Sequence, residues 1–278
     1  MTETKAIFIP SGFADEASGD FAKQIEAHQQ LGWDYLIIRT VGGVKAEDLP
    51  VEKHTELKQM LDEAGMKVSS IGSAMGKVPI DTVTLEEDIQ TLDRLCKLAN
   101  TVGARYIRVM SYEQGDDTPQ EWRDKAADRL QTLGDYARTH GVMLTLENCV
   151  GYPQDGDKMV EFLELCNCDN VRCAFDPGNA AGHGVNTWEM YTKVRDYIEY
   201  FHLKDTTYDG SQHFPGEGDG QIEKILTALW DSGYQGFVSI EPHVASTDHL
   251  ANDSQLNQWD SYQKYGQMVN EMYKKVCK

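Results

Sequence analysis

A single-domain (β/α)8 barrel spanning residues 1–278 is the fold this sequence predicts, on three observations. Eight apolar runs of strand composition alternate with eight amphipathic helical stretches from end to end. The runs are near-continuously apolar, as in a parallel sheet covered by helices. The length is close to the roughly 250 residues of one such barrel, and no linker or shift of composition interrupts it.

The elements follow in order. Ala6-Ile7-Phe8-Ile9 is the first strand, and the helix from Asp20 to Leu31 closes on Gly32, because glycine takes the left-handed turn that ends helices. Tyr35-Leu36-Ile37-Ile38 is the second strand, tipped by Arg39, and the helix from Val51 to Ala64 stops at Gly65. Lys67 to Gly72 is the third strand, with Ser73, Gly76 and Lys77 in its exit loop. Leu85 to Val102 places Leu92, Leu95, Leu98 and Ala99 at helical spacing and ends at Gly103. Tyr106 to Met110 is the fourth strand and carries Arg108; Pro119 opens the helix that runs to His140.

The last four strands share a pattern. Met143-Leu144-Thr145-Leu146 runs into Glu147-Asn148, and a helix follows from Asp157 to Cys166. Val171 to Phe175 runs into Asp176-Pro177-Gly178-Asn179, which reads as a turn before a short helix from Thr187 to Asp196. The run from Tyr197 to Phe201 ends in His202-Leu203-Lys204-Asp205, and Gly220 to Ser232 is helical. Phe237 to Ile240 runs into Glu241-Pro242-His243, and a helix from Leu256 to Val276 completes the series. Trp33, Trp122, Trp188 and Trp230 fall on predicted helices as packing residues.

The formal net charge of −19, from 45 acidic and 26 basic residues without a basic cluster, argues against nucleic acid or an anionic membrane as partner. No run approaches the roughly 18 apolar residues of a membrane span, and no signal peptide is visible, so a cytoplasmic protein is expected. Homo-oligomerisation is left open. The six cysteines form no CxxC pair and read as buried thiols, with Cys149 and Cys173 on strands.

Barrel active sites lie at the C-terminal ends of the strands. There, Glu147, Asp176, His202 and Glu241 fall 29, 26 and 39 residues apart, close to one strand-plus-helix unit each. Singly, such residues are more often helix caps, turn formers or packing residues. Four consecutive strands presenting ligands at one height point instead to one divalent cation, Mn²⁺, Mg²⁺, Co²⁺ or Zn²⁺. Positions open on that ion suit a carbonyl and an adjacent hydroxyl of a small carbohydrate. Glu147 and Glu241, from well-separated strands, are placed to exchange a proton beside the carbonyl through an enediolate. Asp176 and His202 then mainly hold the ion.

Glu147, Asp176, His202-Leu203-Lys204-Asp205 and Glu241-Pro242-His243, in that order, resemble the sugar phosphate isomerase/epimerase group of xylose isomerase-like TIM barrels. Phe13-Ala14-Asp15-Glu16, Ser70-Ile71-Gly72-Ser73, Gly76-Lys77 and Gly216-Glu217-Gly218-Asp219-Gly220 extend the resemblance over the whole chain. It implies one metal, often manganese, on Glu147, Asp176, His202 and Glu241, with the two glutamates as acid and base. The chain departs at Asn179, where ketose 3-epimerases usually place a substrate-contacting histidine. That points away from a free-ketohexose epimerase and leaves the metal ligands intact.

Arg39, Lys77, Arg108 and Lys204 at strand ends are candidates for binding substrate hydroxyls, a carboxylate or a phosphate, as is Asn179 by the resemblance. His213, Glu217 and His243 are loop residues expected to reach over the site. Gly216-Glu217-Gly218 lacks the strand-then-helix context of a dinucleotide loop. The sequence therefore predicts a metal-dependent sugar isomerase or epimerase. A lyase or dehydratase using the same residues is the second reading. A metallohydrolase of the endonuclease IV type, which calls for a multi-zinc cluster with many histidines, is disfavoured because the chain has only eight, three of them (His28, His54 and His140) on predicted helices.

Overall fold

Each of the eight apolar runs becomes a strand, and all join one parallel sheet in a computed structural model of the chain that describes residues 5–244 and 257–278. The strands are β1 (Ile7–Gly12), β2 (Tyr35–Ile38), β3 (Lys67–Ile71), β4 (Tyr106–Val109), β5 (Met143–Glu147), β6 (Val171–Phe175), β7 (Ile198–Leu203) and β8 (Gln235–Ile240). Their order is β1-β8-β7-β6-β5-β4-β3-β2, so each lies beside its sequence neighbour. A parallel bridge from Phe13 to Ile37 joins the two edge strands and nearly closes the cylinder.

β1 extends beyond the expected stop at Ile9, through Pro10 to Gly12. Proline has no N–H to donate, but Pro10 needs none for a second ladder. It pairs in register with Val238 of β8, and on its other flank β1 meets β2 only through the bridge at Phe13.

Nine α-helices occur among the described residues: α1 (Phe21–Leu31), α2 (Val51–Ala64), α3 (Leu85–Val102), α4 (Pro119–Thr139), α5 (Gly156–Cys166), α6 (Pro177–Gly182), α7 (Thr187–Val194), α8 (Ile222–Asp231) and α9 (Gln258–Val276). Their ends follow side-chain chemistry. Thr84 with Glu87, and Thr118 with Glu121, form reciprocal capping boxes at α3 and α4, each stabilising by about 1 kcal/mol. The one addition is α6, expected as a turn: Asp176 caps it by accepting from the Asn179 amide, and Pro177 occupies its first position. The expected start of the last helix, Leu256, lies outside the described residues. Trp33 stands just beyond α1 rather than on it, where Nε1 donates to Asn270 Oδ1 at 2.8 Å.

Inside the cylinder, Phe13, Ile37, Tyr106, Ala174 and Tyr200 form a compact apolar plug. Tyr200 stacks on Phe237 with centroids 5.5 Å apart. Its buried hydroxyl donates to Ser69 Oγ at 2.9 Å and lies 2.6 Å from Ser239 Oγ, so no hydrogen-bonding capacity is wasted. Phe13 and Tyr200 both meet the His202 ring edge-on, at 5.2 and 5.4 Å, and so form the floor of the site above.

All six cysteines are free thiols. Cys149 is not on a strand as expected, but two residues beyond β5. Among the described residues, no helix is long and apolar enough to cross a membrane.

Candidate metal centre and active site

Glu147 ends β5, Asp176 follows β6, His202 is the next-to-last residue of β7, and Glu241 follows β8. All four are buried, and each offers a ligand atom within 4.8 Å of the others. Two ligands on opposite sides of an ion with bonds of about 2.1 Å lie about 4.2 Å apart, so the set is spaced for one small divalent cation.

Three of the four ligands are tied by hydrogen bonds. His202 Nδ1 lies 2.7 Å from Glu147 Oε1. Asn148 clamps the Asp176 backbone on both sides, its Oδ1 accepting the amide N–H and its Nδ2 donating to the carbonyl, both at 2.8 Å. The capping bond at Asp176 Oδ1 fixes that carboxylate's rotation.

Three cations surround the cluster. Arg108 Nη1 stands between the glutamates, 3.3 Å from Glu147 Oε2 and 3.2 Å from Glu241 Oε1. Lys204 Nζ lies 3.2 Å from Asp176 Oδ2 and 3.4 Å from Glu241 Oε2. Arg39 reaches Glu241 Oε1 at 3.0 Å and also pairs with Asp15 and Glu16. Five carboxylates (Asp15, Glu16, Glu147, Asp176 and Glu241) therefore meet these three cations around the cluster.

Burial raises the Glu147 carboxyl, but Arg108 outweighs it with help from His202 and holds it at about 2. Burial is again opposed at Glu241, where Lys204, His243 and Arg108 keep the group well below the usual carboxylate range. At Asp176 burial wins: Lys204 opposes it, Glu147 and Glu241 reinforce it, and the carboxyl rises to about 6. The Cys149 thiol, lifted by burial to about 11, is protonated at neutral pH and is no nucleophile.

The donor set fits a metal. Glu147 Oε2 and Asp176 Oδ2 are buried and, among the described residues, meet only a cation at 3.3 and 3.2 Å without a hydrogen bond, so each keeps a lone pair for a metal. Three carboxylates and an imidazole suit a hard or borderline divalent ion.

Beside the cluster opens a cavity of 170 Å³ whose wall includes Arg39, Lys77, Arg108, Lys204, Glu241 and His243. These sequence candidates come together. Asn179 lies behind Asp176 with a buried Nδ2 that has no partner. His213 and Glu217 do not join the wall. His213 pairs with Asp205 in a two-residue antiparallel ladder, and Glu217 is exposed in the turn that follows. They are drawn aside because Asp205 accepts the amides of Gly216, Gly218 and Gly220 at 2.7, 3.0 and 2.9 Å, winding that loop around its own carboxylate. A Cβ at Gly218 or Gly220 would lie 2.5 or 2.6 Å from Asp205 Oδ1, which explains both glycines.

Sequence reasoning did not single out Phe13, Asn148 or Cys149 for the site. Phe13 carries both arginines on its ring, at 4.8 and 4.7 Å, and Cys149 lines the cavity. Only Asn148, adjacent to a ligand, left a local signal.

The fold and this site define a parallel barrel with a buried cluster of three carboxylates and an imidazole at its strand ends, suited to a divalent cation. The chain matches the family described as xylose isomerase-like TIM barrel over residues 25–260, and it belongs to that family. Among its relatives is an inosose dehydratase of Lacticaseibacillus casei, 22% identical over 267 residues, covering 84% of this chain and 87% of the relative. Similar solved structures include the IolI protein with a bound zinc atom, at 19% identity and a TM-score of 0.77, covering 97% of this chain and 99% of that one. Another is D-allulose 3-epimerase from Methylomonas sp. in complex with D-allulose, at 18% identity and a TM-score of 0.75, covering 98% and 99%.

Proposed function

We propose that this chain is a metal-dependent isomerase or epimerase of a carbohydrate, or of a keto derivative of one, working by proton abstraction beside a carbonyl through an enediolate. One observation carries the reading. Glu147 and Glu241 approach a single ligand cluster from strand ends separated by two intervening strands, and both are held ionised around one Arg108 nitrogen.

Glu147, Asp176, His202 and Glu241 would hold one divalent ion, Mn²⁺ first, with Mg²⁺, Co²⁺ or Zn²⁺ as alternatives. When bound, such an ion supplies Lewis acidity to the carbonyl and neighbouring hydroxyl of the substrate. A carboxylate held near 2 is a weak base, so Glu147 acts only on a hydrogen that has been made acidic. One glutamate takes the proton from the reacting carbon on a carboxylate oxygen. For epimerisation the other, which must first have gained a proton, returns it at the opposite face; for isomerisation the first returns its own proton to the neighbouring carbon. Arg108, placed between them, stabilises whichever of the two is ionised. Asp176 and His202, braced by Asn148 and by the Phe13–Tyr200 floor, keep their positions throughout. Arg108, Lys204, Lys77 and His243 on the wall orient substrate oxygens.

A lyase or dehydratase acting on a keto-sugar, keto-inositol or keto-glycoside is the second reading, favoured by the relative named inosose dehydratase. It begins with the same proton and ends with loss of a β-substituent. Incubation with Mn²⁺ and ketoses, keto-inositols and keto-glycosides in D₂O, followed by NMR, separates the two. Deuterium beside the carbonyl on an intact skeleton is the expected result. Release of water or an aglycone transfers the assignment to the lyase. Metal-loaded protein that exchanges no carbon-bound hydrogen in any of these compounds rejects both.

A further inference from the structure

A second trio lies against the first. Glu16, Glu241 and His243 each offer a ligand atom within 4.8 Å of the others, with Glu241 common to both groups. The second place is already filled from within the chain. Arg39, leaving β2, donates from Nη2 to Glu16 Oε1 at 3.2 Å, from Nη1 to Glu241 Oε1 at 3.0 Å and from Nε to Asp15 Oδ2 at 2.8 Å. His243 Nε2 faces the same two acids, 3.2 Å from Glu241 Oε1 and 3.6 Å from Glu16 Oε1.

The surroundings are built to hold that guanidinium. Its face rests on Phe13, 4.8 Å from the ring centroid. Gly72 makes the passage: a Cβ there would lie 2.7 Å from Phe13 Cε1 and 3.1 Å from Arg39 Cβ. His243 adopts a left-handed φ of 52°, unusual outside glycine, and its amide N–H donates to Glu16 Oε2 at 2.7 Å. The strained turn thus delivers an imidazole to a position between two carboxylates.

We propose that the Arg39 guanidinium occupies a second cation position adjoining the metal centre. It keeps the site mononuclear and positions Glu241 by occupying one side of the carboxylate while the metal takes the other. This rests on the reading that Glu147, Asp176, His202 and Glu241 hold an ion. Glu16, Glu241 and His243 offer ligand atoms within 4.8 Å of one another around the guanidinium, with Asp15 at its edge, so an uncharged side chain at residue 39 leaves two carboxylates and an imidazole that suit a divalent cation. Arg39 is a positioning residue here, acting through Glu241.

The test is the number of Mn²⁺ ions bound per chain, by calorimetric titration and by elemental analysis after gel filtration. Wild type and Arg39→Lys are expected to take one, and Arg39→Met and Arg39→Ala two. Adding His243→Ala to Arg39→Met should return the count to one. A variant that folds only when Mn²⁺ is supplied, followed by circular dichroism, gives the same support. Arg39→Met and Arg39→Ala overturn the proposal if they bind no more ions than wild type, or stay unfolded with Mn²⁺ present. A wild-type count of two also overturns it. A wild-type count of zero instead sinks the reading of the first site, and the gain on replacing Arg39 still decides the second.

Discussion

Glu147 and Glu241 share Arg108 as counter-ion yet sit on strand ends that two further strands separate, so each is expected to serve a different face of the substrate. Glu147→Gln and Glu241→Gln should each lower kcat by about 10³-fold while leaving the circular dichroism spectrum of the folded chain unchanged. Near-normal turnover in either would remove that residue from proton transfer. His202→Ala should instead act through the metal, weakening Mn²⁺ binding by more than tenfold in titration. At this scale the four ligands were legible because each directly follows or ends an apolar run and breaks its pattern. Asp15 and Glu16 were visible only through resemblance. Their meaning depends on Arg39, 24 and 23 residues away across the barrel seam, and on Glu241 at the end of β8, and no local pattern reports such pairings.

Among elements, α6 and the loop after β7 show where local signals were present but under-read. Asp176-Pro177 carries a capping side chain and a proline at the first helical position, so a helix of one and a half turns was available to the sequence reading. The glycines at 216, 218 and 220 make sense only with Asp205 placed among them. Asp205→Ala leaves three amides without their acceptor and should cost about 3 kcal/mol, measured as a lower urea midpoint. Gly218→Ala should approach that loss by displacing the same carboxylate.

The packing of α1 against α9 gives a pH signature away from the active site. His28 is buried on α1, with Nδ1 3.0 Å from the Gln24 carbonyl and Nε2 3.1 Å from Tyr262 Oη, and burial lowers it to about 4. The unfolded chain binds that proton near 6.5 and the folded chain only near 4. Stability from this residue is therefore present above pH 6.5 and lost as pH falls toward 4, by about 3 kcal/mol in total. His28→Gln should flatten this slope in denaturant titrations between pH 7 and 4. An unchanged slope would place the proton uptake elsewhere.

For the whole molecule, the order of strands was legible because each run is nearly continuous in apolar residues and each helix has its own stop. Closure was less so: Pro10 hides the end of β1, and the seam to β2 rests on one bridge at Phe13. The cylinder brings residues as distant as Asp15 and His243 into one charged layer above an aromatic floor. Removing metal with a chelator should abolish turnover and lower the melting temperature. Restoring Mn²⁺ at 100 times its Kd should recover about 2.7 kcal/mol of stability. Equal stability with and without metal would mean that the folded chain does not bind it.

The most direct measurement is a crystal grown or soaked with MnCl₂ and read by anomalous scattering at the manganese edge. One strong peak is predicted among Glu147, Asp176, His202 and Glu241, within about 2.0–2.3 Å of an oxygen or nitrogen of each. A fully soaked crystal with no peak there, or with manganese bound only elsewhere, would contradict the shared metal centre.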